Sequence, residues 1–252
     1  MASEIPGGGF ANVFLGEHIV FKERPIVAIK LLHAHLASQE ESERFFQEAR
    51  FLEKLKHPYI LPIIDAGIQD GLPYLIAEYA PNGSLRSRLL NHSSELLPAQ
   101  QVIGILSQIG QALQYAHQQN IIHRDLKPEN ILFNAKNEAL LADFGIATLL
   151  EAARTKHADV SGSPSYMAPE QFDGIISKKS DQYALGCIAY ELVTGRKPFI
   201  VPHPTMEAMW YQHSQVNPVS PTQFNRQLPL YIEQAILKAM GKDRKNRYPV
   251  GV

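Results

Sequence analysis

IIHRDLKPENILF, Ile121 to Phe133, places His123, Arg124, Asp125, Lys127, Glu129 and Asn130 between two apolar ends. The apolar ends read as segments fixed in a core. Pro128 interrupts any helix, so the loop between them can turn Asp125 and Asn130 to one side. A carboxylate in such a loop can take the proton of a substrate hydroxyl, and an amide oxygen can bind Mg²⁺. A second acid follows in LLADFGIA, where Asp143 ends an apolar run before a Phe-Gly turn. Alone it reads as a turn residue; beside Asn130 it reads as a second oxygen ligand.

Upstream of this stretch, to about Tyr79, the pattern is strands with one helix. IVAIKLL is short and β-branched, and period-2 alternation places Ile26, Ala28, Lys30 and Leu32 on one strand face. EESERFFQEARFLEKLK has helical periodicity and ends before His57-Pro58. Glu48 falls within its apolar stripe of Phe45, Leu52 and Leu55, where an unpaired carboxylate is costly. Lys30 is the cation upstream that also sits in an apolar frame. YILPIIDAG and PYLIAEYA read as two more strands, and APNGSL as a turn.

Downstream the chain turns helical. PAQQVIGILSQIGQALQYAHQQ carries an apolar stripe. SDQYALGCIAYELVTG reads as a buried helix with a Ser180-Asp181 cap and a stop at Gly195. Prolines from Pro198 to Pro229 imply loops and short helices, and YIEQAILKAM a last helix. No internal repeat is present.

Composition narrows the class. At 252 residues and 45% hydrophobic content the chain can bury one large core or two lobes. A net charge of −1 gives no sign of a nucleic-acid partner. The single cysteine, Cys187, allows no internal disulfide and fits a cytoplasmic setting. No signal peptide or membrane segment is read within the chain, and an anchor beyond Val252 is left open. His33 and His35 lack a third ligand at metal spacing, and Met206, Met209 and Trp210 are either a docking surface or local core.

Taken together, these motifs resemble the eukaryotic-type protein serine/threonine kinase family, in particular its bacterial members. The glycine-rich GGGFANV, Val27-Ala28-Ile29-Lys30, His123-Arg124-Asp125-Leu126 with Asn130, Asp143-Phe144-Gly145 and Ala168-Pro169-Glu170 follow in the family's order. The resemblance implies an α+β bilobal kinase fold. Residues 1–79 would form a small antiparallel-sheet lobe with one main helix, and 80–252 a larger helical lobe. It implies phosphoryl transfer from Mg²⁺-ATP to Ser/Thr hydroxyls of protein substrates, with autophosphorylation of the activation loop. The alternative is a catalytically weak pseudokinase that binds nucleotide.

The same resemblance assigns roles. Asp125 would orient and deprotonate the hydroxyl, Lys127 would meet the γ-phosphate, and Asn130 and Asp143 would bind Mg²⁺. Lys30 would hold the α- and β-phosphates and pair with Glu48. Gly7, Gly8, Gly9, Val13, Ala28, Glu78, Ala80 and Leu132 would complete the nucleotide site. Asp181 would hold the catalytic-loop backbone, and Glu170 would pair with Arg247. His123, Phe144 and Leu52 would be structural. Thr155 and Ser161 are the favoured phosphorylation sites, ahead of Thr148 and Ser165, with Arg124 as phosphate partner. The chain departs from the family pattern at Pro6 and Ala11 in the glycine run, at Ser163 in place of threonine, and at Ala77, a small residue before the hinge. An almost absent strand ahead of the glycine run is expected.

Overall fold

The computed structural model describes residues 3–5, 11–17, 25–91, 96–144 and 164–250, with backbone alone for 3–5. Gly7, Gly8, Gly9, Thr148, Thr155, Ser161 and Ser163 lie outside them. Strands β1 (Ser3–Ile5), β2 (Ala11–Gly16), β3 (Val27–Leu32), β4 (Ile63–Gln69) and β5 (Leu72–Glu78) form one antiparallel sheet in the order β1-β2-β3-β5-β4. The strand ahead of the glycine run is shortened rather than lost, since Ser3, Glu4 and Ile5 pair with Leu15, Phe14 and Val13. Asp70 and Gly71 close the β4–β5 hairpin, both at positive φ (52° and 77°). A two-residue turn of that kind matches the twist of the strands it joins.

Helix α1 (Gln39–Glu53) covers the sheet. Ser38 caps it by accepting from the Glu41 backbone, while the Glu41 side chain returns to the Ser38 N–H. Its buried face is Phe45, Ala49 and Leu52.

Beyond the hinge come helices α2 (Leu85–Asn91), α3 (Ala99–Gln118), α4 (Lys178–Thr194), α5 (Met206–Gln215) and α6 (Leu230–Ala239). Between α3 and α4 a short hairpin pairs β6 (Ile131–Phe133) with β7 (Ala139–Leu141). The α+β bilobal arrangement expected from the sequence is therefore present. Helix α4 is the centre of the larger lobe: Tyr183, Cys187 and Ile188 are each 0% exposed. Helix α6 approaches it so closely at Gly186 that an added Cβ would lie 2.9 Å from Met240 Cγ.

Helix α4 begins earlier than the sequence pattern indicates. Its cap is Ser177, in a capping box with Ser180, so Ser180 and Asp181 lie inside the first turn. The Asp181 carboxylate is used elsewhere, as described below. Gly195 ends the helix at φ 70°, as expected. Met209 is core at 2% exposed, whereas Met206 and Trp210 are both 39% exposed, so that segment divides between core and surface.

Candidate active site

The loop Ile121–Asn130 is held from below and from both sides. From below, the buried Asp181 carboxylate accepts from the backbone N–H groups of His123 (2.9 Å) and Arg124 (3.0 Å), and bonds His117 Nε2 (2.7 Å). Arg124 stands at φ 72°, a left-handed conformation that costs a non-glycine residue about 1–2 kcal/mol. The bond from its N–H to Asp181 offsets that cost. On one side, Tyr59 O and Leu61 N bond the backbone of Leu141 on β7. On the other, Asn82 and Gly83 of the hinge bond the backbone of Phe133 on β6. The hairpin that carries the loop is thus tied to both lobes.

Within the loop, Lys127 Nζ donates to Asp125 Oδ2 at 2.6 Å, and Asn130 Nδ2 donates to the Asp125 carbonyl at 2.8 Å. Hairpin register then brings the two expected metal ligands together. Ile131 pairs with Leu141, and Ala142 N–H donates to Asn130 O at 2.9 Å, so Asp143 comes one residue beyond the position opposite Asn130. Both leave the open end of the hairpin beside Asp125. Among the described residues no protein hydrogen bond uses Asn130 Oδ1. One carboxylate and one amide oxygen do not make a closed cage, and no cluster of three His, Cys, Asp or Glu side chains exists among the described residues. That donor set fits Mg²⁺, which keeps waters and takes nucleotide phosphates as its remaining ligands.

Cross-strand register puts the N-terminal contribution on one face of the sheet. Val13 lies opposite Lys30, which lies opposite Leu75; Leu15 lies opposite Ala28, which lies opposite Ala77. Residues directly opposite share a face, so Val13, Ala28, Lys30 and Ala77 look the same way. Ala77 packs with Leu61, Ala80, Leu140 and Ala142, with Leu132 against them. The expected nucleotide-site residues Val13, Ala28, Lys30, Ala80 and Leu132 therefore line one cleft between sheet and hairpin. Glu78 is exposed at the end of β5, and Gly7, Gly8 and Gly9 lie outside the described residues.

The ion pair of Lys30 is not the expected one. Its Nζ donates to Asp143 Oδ2 at 2.6 Å, and no ion pair or hydrogen bond between Lys30 and Glu48 is present. Glu48 does lie between the buried Phe45 and Leu52, but it is itself only half-buried and keeps access to water. The stripe gave its face correctly, and the partner that the family resemblance implies is not engaged in this structure. Burial alone would raise the Asp143 carboxyl; the adjacent Lys30 charge and hydrogen bond outweigh this and hold it below the usual range. Asp143 also stands at φ 66°, and Phe144 packs on His123 with ring centroids 4.8 Å apart.

Two further networks support the loop. Arg247 forms a two-pronged pair with Glu170, at 2.7 and 2.8 Å, deep under the segment Pro164–Glu170. Arg86 of α2 joins Glu129 of the loop to Glu191 of α4 and to the Tyr166 hydroxyl. Sequence reading missed the second network, although a carboxylate in so apolar a helix as α4 demands a cation somewhere. His33 bonds the Asn12 side chain at 2.8 Å. Cys187 is fully enclosed and its thiol is pushed up by burial, which makes it unreactive.

A β-sheet lobe and a helical lobe meet at a cleft that gathers a lysine, a loop aspartate, and an Asn–Asp pair. That is the architecture of a protein kinase domain. The sequence profile of that domain family matches residues 2–249, and the chain belongs to the family. It is 39% identical over 247 residues to the serine/threonine-protein kinase PrkC of Bacillus subtilis, covering 97% of this chain and 37% of that protein. It is 37% identical over 249 residues to the serine/threonine-protein kinase PknB of Mycobacterium leprae, covering 96% and 39%. The PknI kinase domain of Mycobacterium tuberculosis superposes with a TM-score of 0.75 at 26% identity, over 98% of this chain and 88% of that one. The chain thus spans well under half the length of the curated relatives it matches. No helix among the described residues is long and apolar enough to cross a membrane.

Proposed function

We propose that this domain transfers the γ-phosphoryl group of ATP to serine and threonine hydroxyls of protein substrates. The observation that supports it most is the convergence of Asp125, Asn130 and Asp143 at one end of the β6–β7 hairpin, facing Lys30 across the cleft. Asp125 would accept the hydroxyl proton and aim the oxygen, with Lys127 beside it to meet the transferred phosphoryl group. Asn130 and Asp143 would hold Mg²⁺, which when bound neutralises charge on the phosphate oxygens. Val13, Ala28, Ala80, Leu132 and the hinge at Glu78 would receive the adenine ring, with Gly7, Gly8 and Gly9 over the phosphates.

The pair Lys30–Asp143 uses one oxygen of an expected metal ligand. In the reading proposed here, Asp143 would leave Lys30 to hold the metal, and Lys30 would turn to the phosphates with Glu48 as its new partner. Phosphorylation at Thr155 or Ser161, with Arg124 as the phosphate's partner, would favour that second arrangement. The relatives' names and the retention of every phosphate-handling side chain favour catalysis over a pseudokinase role. A cytoplasmic location suits the nucleotide chemistry.

The test is phosphate transfer from labelled ATP with Mg²⁺, to the domain itself and to a generic protein substrate, beside Asp125→Asn. Label in the parent and none in the variant is the expected result. Nucleotide binding with no transfer in either protein would return the pseudokinase reading.

A further inference from the structure

A connected group of ionisable side chains outside the phosphate-handling residues lies beside the catalytic loop. Arg86 Nε donates to Glu129 Oε1 and its Nη1 to Glu191 Oε1, both at 2.8 Å, while Nη2 reaches the Tyr166 hydroxyl. Tyr166 in turn donates to Glu191 Oε2 at 2.5 Å. Burial and the neighbouring Glu191 charge push the Tyr166 phenol up, so it stays protonated. The group holds two carboxylates and one guanidinium.

Its two carboxylates are in different situations. Glu191 is only 5% exposed and must have a cation. The Glu129 side chain is 45% exposed, and water could serve it. Burial therefore accounts for Arg86 meeting Glu191, but not for Arg86 meeting Glu129. The position of Glu129 is suggestive: it follows Asp125 by four residues in the same loop, and Tyr166 lines the same recess as Asp125. A peptide that brings its hydroxyl to Asp125 must run past this group. Two carboxylates there would draw an arginine or lysine of the substrate. Here the chain's own guanidinium already fills the place.

We propose that Arg86 is a specificity-determining residue, an internal guanidinium that occupies the acidic recess of Glu129 and Glu191 and cancels selection for substrates with basic side chains near the acceptor hydroxyl. The proposal rests on the kinase reading above and deepens it. A substrate arginine cannot displace Arg86, because the internal group is covalently held at high effective concentration and its planar fork already satisfies both carboxylates.

The experiment compares serine peptides that differ only in Arg or Ala at each position flanking the acceptor. For each pair the kcat/KM ratio is measured, and the peptide Kd ratio by fluorescence anisotropy with a non-hydrolysable ATP analogue. The parent domain is expected to show ratios close to unity. Arg86→Gln should raise the Arg/Ala ratio about tenfold at one or two positions, the worth of one charge-assisted pair. The double variant Arg86→Gln, Glu129→Gln should lose most of that gain. A purely structural Arg86 would give lower thermal stability with unchanged ratios, and that result overturns the proposal. So does a parent domain that already prefers arginine. Arg86→Lys, whose point charge cannot serve both carboxylates, gives the same readout with a smaller rise if Arg86→Gln fails to fold. Should no protein transfer phosphate, the kinase reading fails, while the Kd ratios still decide the question of the recess.

Discussion

Asp125 and Lys30 face the same cleft from opposite lobes, and they are held in different ways. Asp125 sits on a loop whose backbone is bonded to the buried Asp181 and whose flanking hairpin is tied to residues of both lobes. Lys30 sits in regular sheet, yet its ammonium is paired with Asp143 while Glu48, on the stripe that faces the sheet, is left without it. The side proposed to handle the hydroxyl is fixed in advance by many short bonds. The side proposed to handle phosphate depends on which of two carboxylates one lysine serves. A catalytic site gains rate from the first kind of construction, because alignment is complete before reaction. It gains control from the second, because an ion pair with two partners has two states that a ligand or a phosphate can bias.

The sharpest way to separate the two sides is to remove the group each depends on. Asp125→Asn keeps the shape of the loop and removes the proposed base. Turnover should fall by about 10²–10⁴-fold, with nucleotide affinity by calorimetry nearly unchanged. An equal loss of nucleotide affinity would mean that the loop is not independent of the phosphate side.

The next effect concerns what lies beneath the loop. Arg247 is fully buried with Glu170, and truncation leaves a buried carboxylate without its cation. Arg247→Ala should cost about 3–5 kcal/mol of unfolding free energy in urea. The pair also sets an acid limit. Burial would raise the Glu170 carboxyl, but the Arg247 bond and charge, with the Ser180 hydroxyl, hold it below its ordinary value of 4.5. A carboxyl lowered in the folded state adds stability above its unfolded pKa and loses it as pH falls through the folded one. Stability should therefore decline below about pH 4.5, the ordinary carboxyl value. In Arg247→Ala the contribution of Glu170 to that decline should vanish or reverse. His213 adds to the acid sensitivity: it is 0% exposed and burial takes its ring down to about 3. The unfolded chain then binds the proton first, so this contribution starts to fade below pH 6.5.

Much of this was legible in the residues, for definable reasons. Asp125, Asn130 and Asp143 are close in sequence and joined by a short hairpin, so local spacing carries most of their geometry. Strand register follows from alternation, which is why Ala28 and Lys30 could be put on one face. The Ser180-Asp181 cap was misread because Ser177 offers the same side-chain chemistry three residues earlier, and the competing use of Asp181 lies 58 residues away at His123. That Lys30 serves Asp143 rather than Glu48 in this structure was not legible for a related reason. Periodicity says which face of α1 meets the sheet, but not how near to β3 the helix is seated. Arg86 and Glu191 are 105 residues apart, and no local pattern joins them.

The two-state side of the site predicts a smaller effect with a distinctive sign. Glu48→Gln removes a carboxylate that Lys30 does not use in this structure. Stability of the nucleotide-free domain should change by less than about 0.5 kcal/mol, as for a surface change. Turnover should nevertheless fall about tenfold or more, since the state with phosphate-bound Lys30 loses its partner. Loss of stability with no loss of turnover would show that Lys30 never exchanges partners. Lys30→Met would not discriminate, because it removes both pairs together.

Ala77 carries the smallest effect and tests the shape of the cleft rather than its charges. It is 8% exposed, lies opposite Ala28 in the sheet, and packs with Ala80 and Ala142. Four alanines in one wall leave space that larger side chains would fill. Filling a closed core by Ala→Met forces shifts that cost about 1–3 kcal/mol. Filling an open recess costs little and adds apolar contact. Ala77→Met should therefore leave the unfolding midpoint nearly unchanged and lower the affinity of adenine analogues with a bulky ring substituent by about fivefold, roughly the worth of 1 kcal/mol. Unsubstituted nucleotide should bind as before, because in the proposed site its ring would meet Leu132 and the hinge in either protein. A strongly destabilised variant would mean that Leu61 and Leu140 already close the recess, and the small residue at 77 would then serve packing alone.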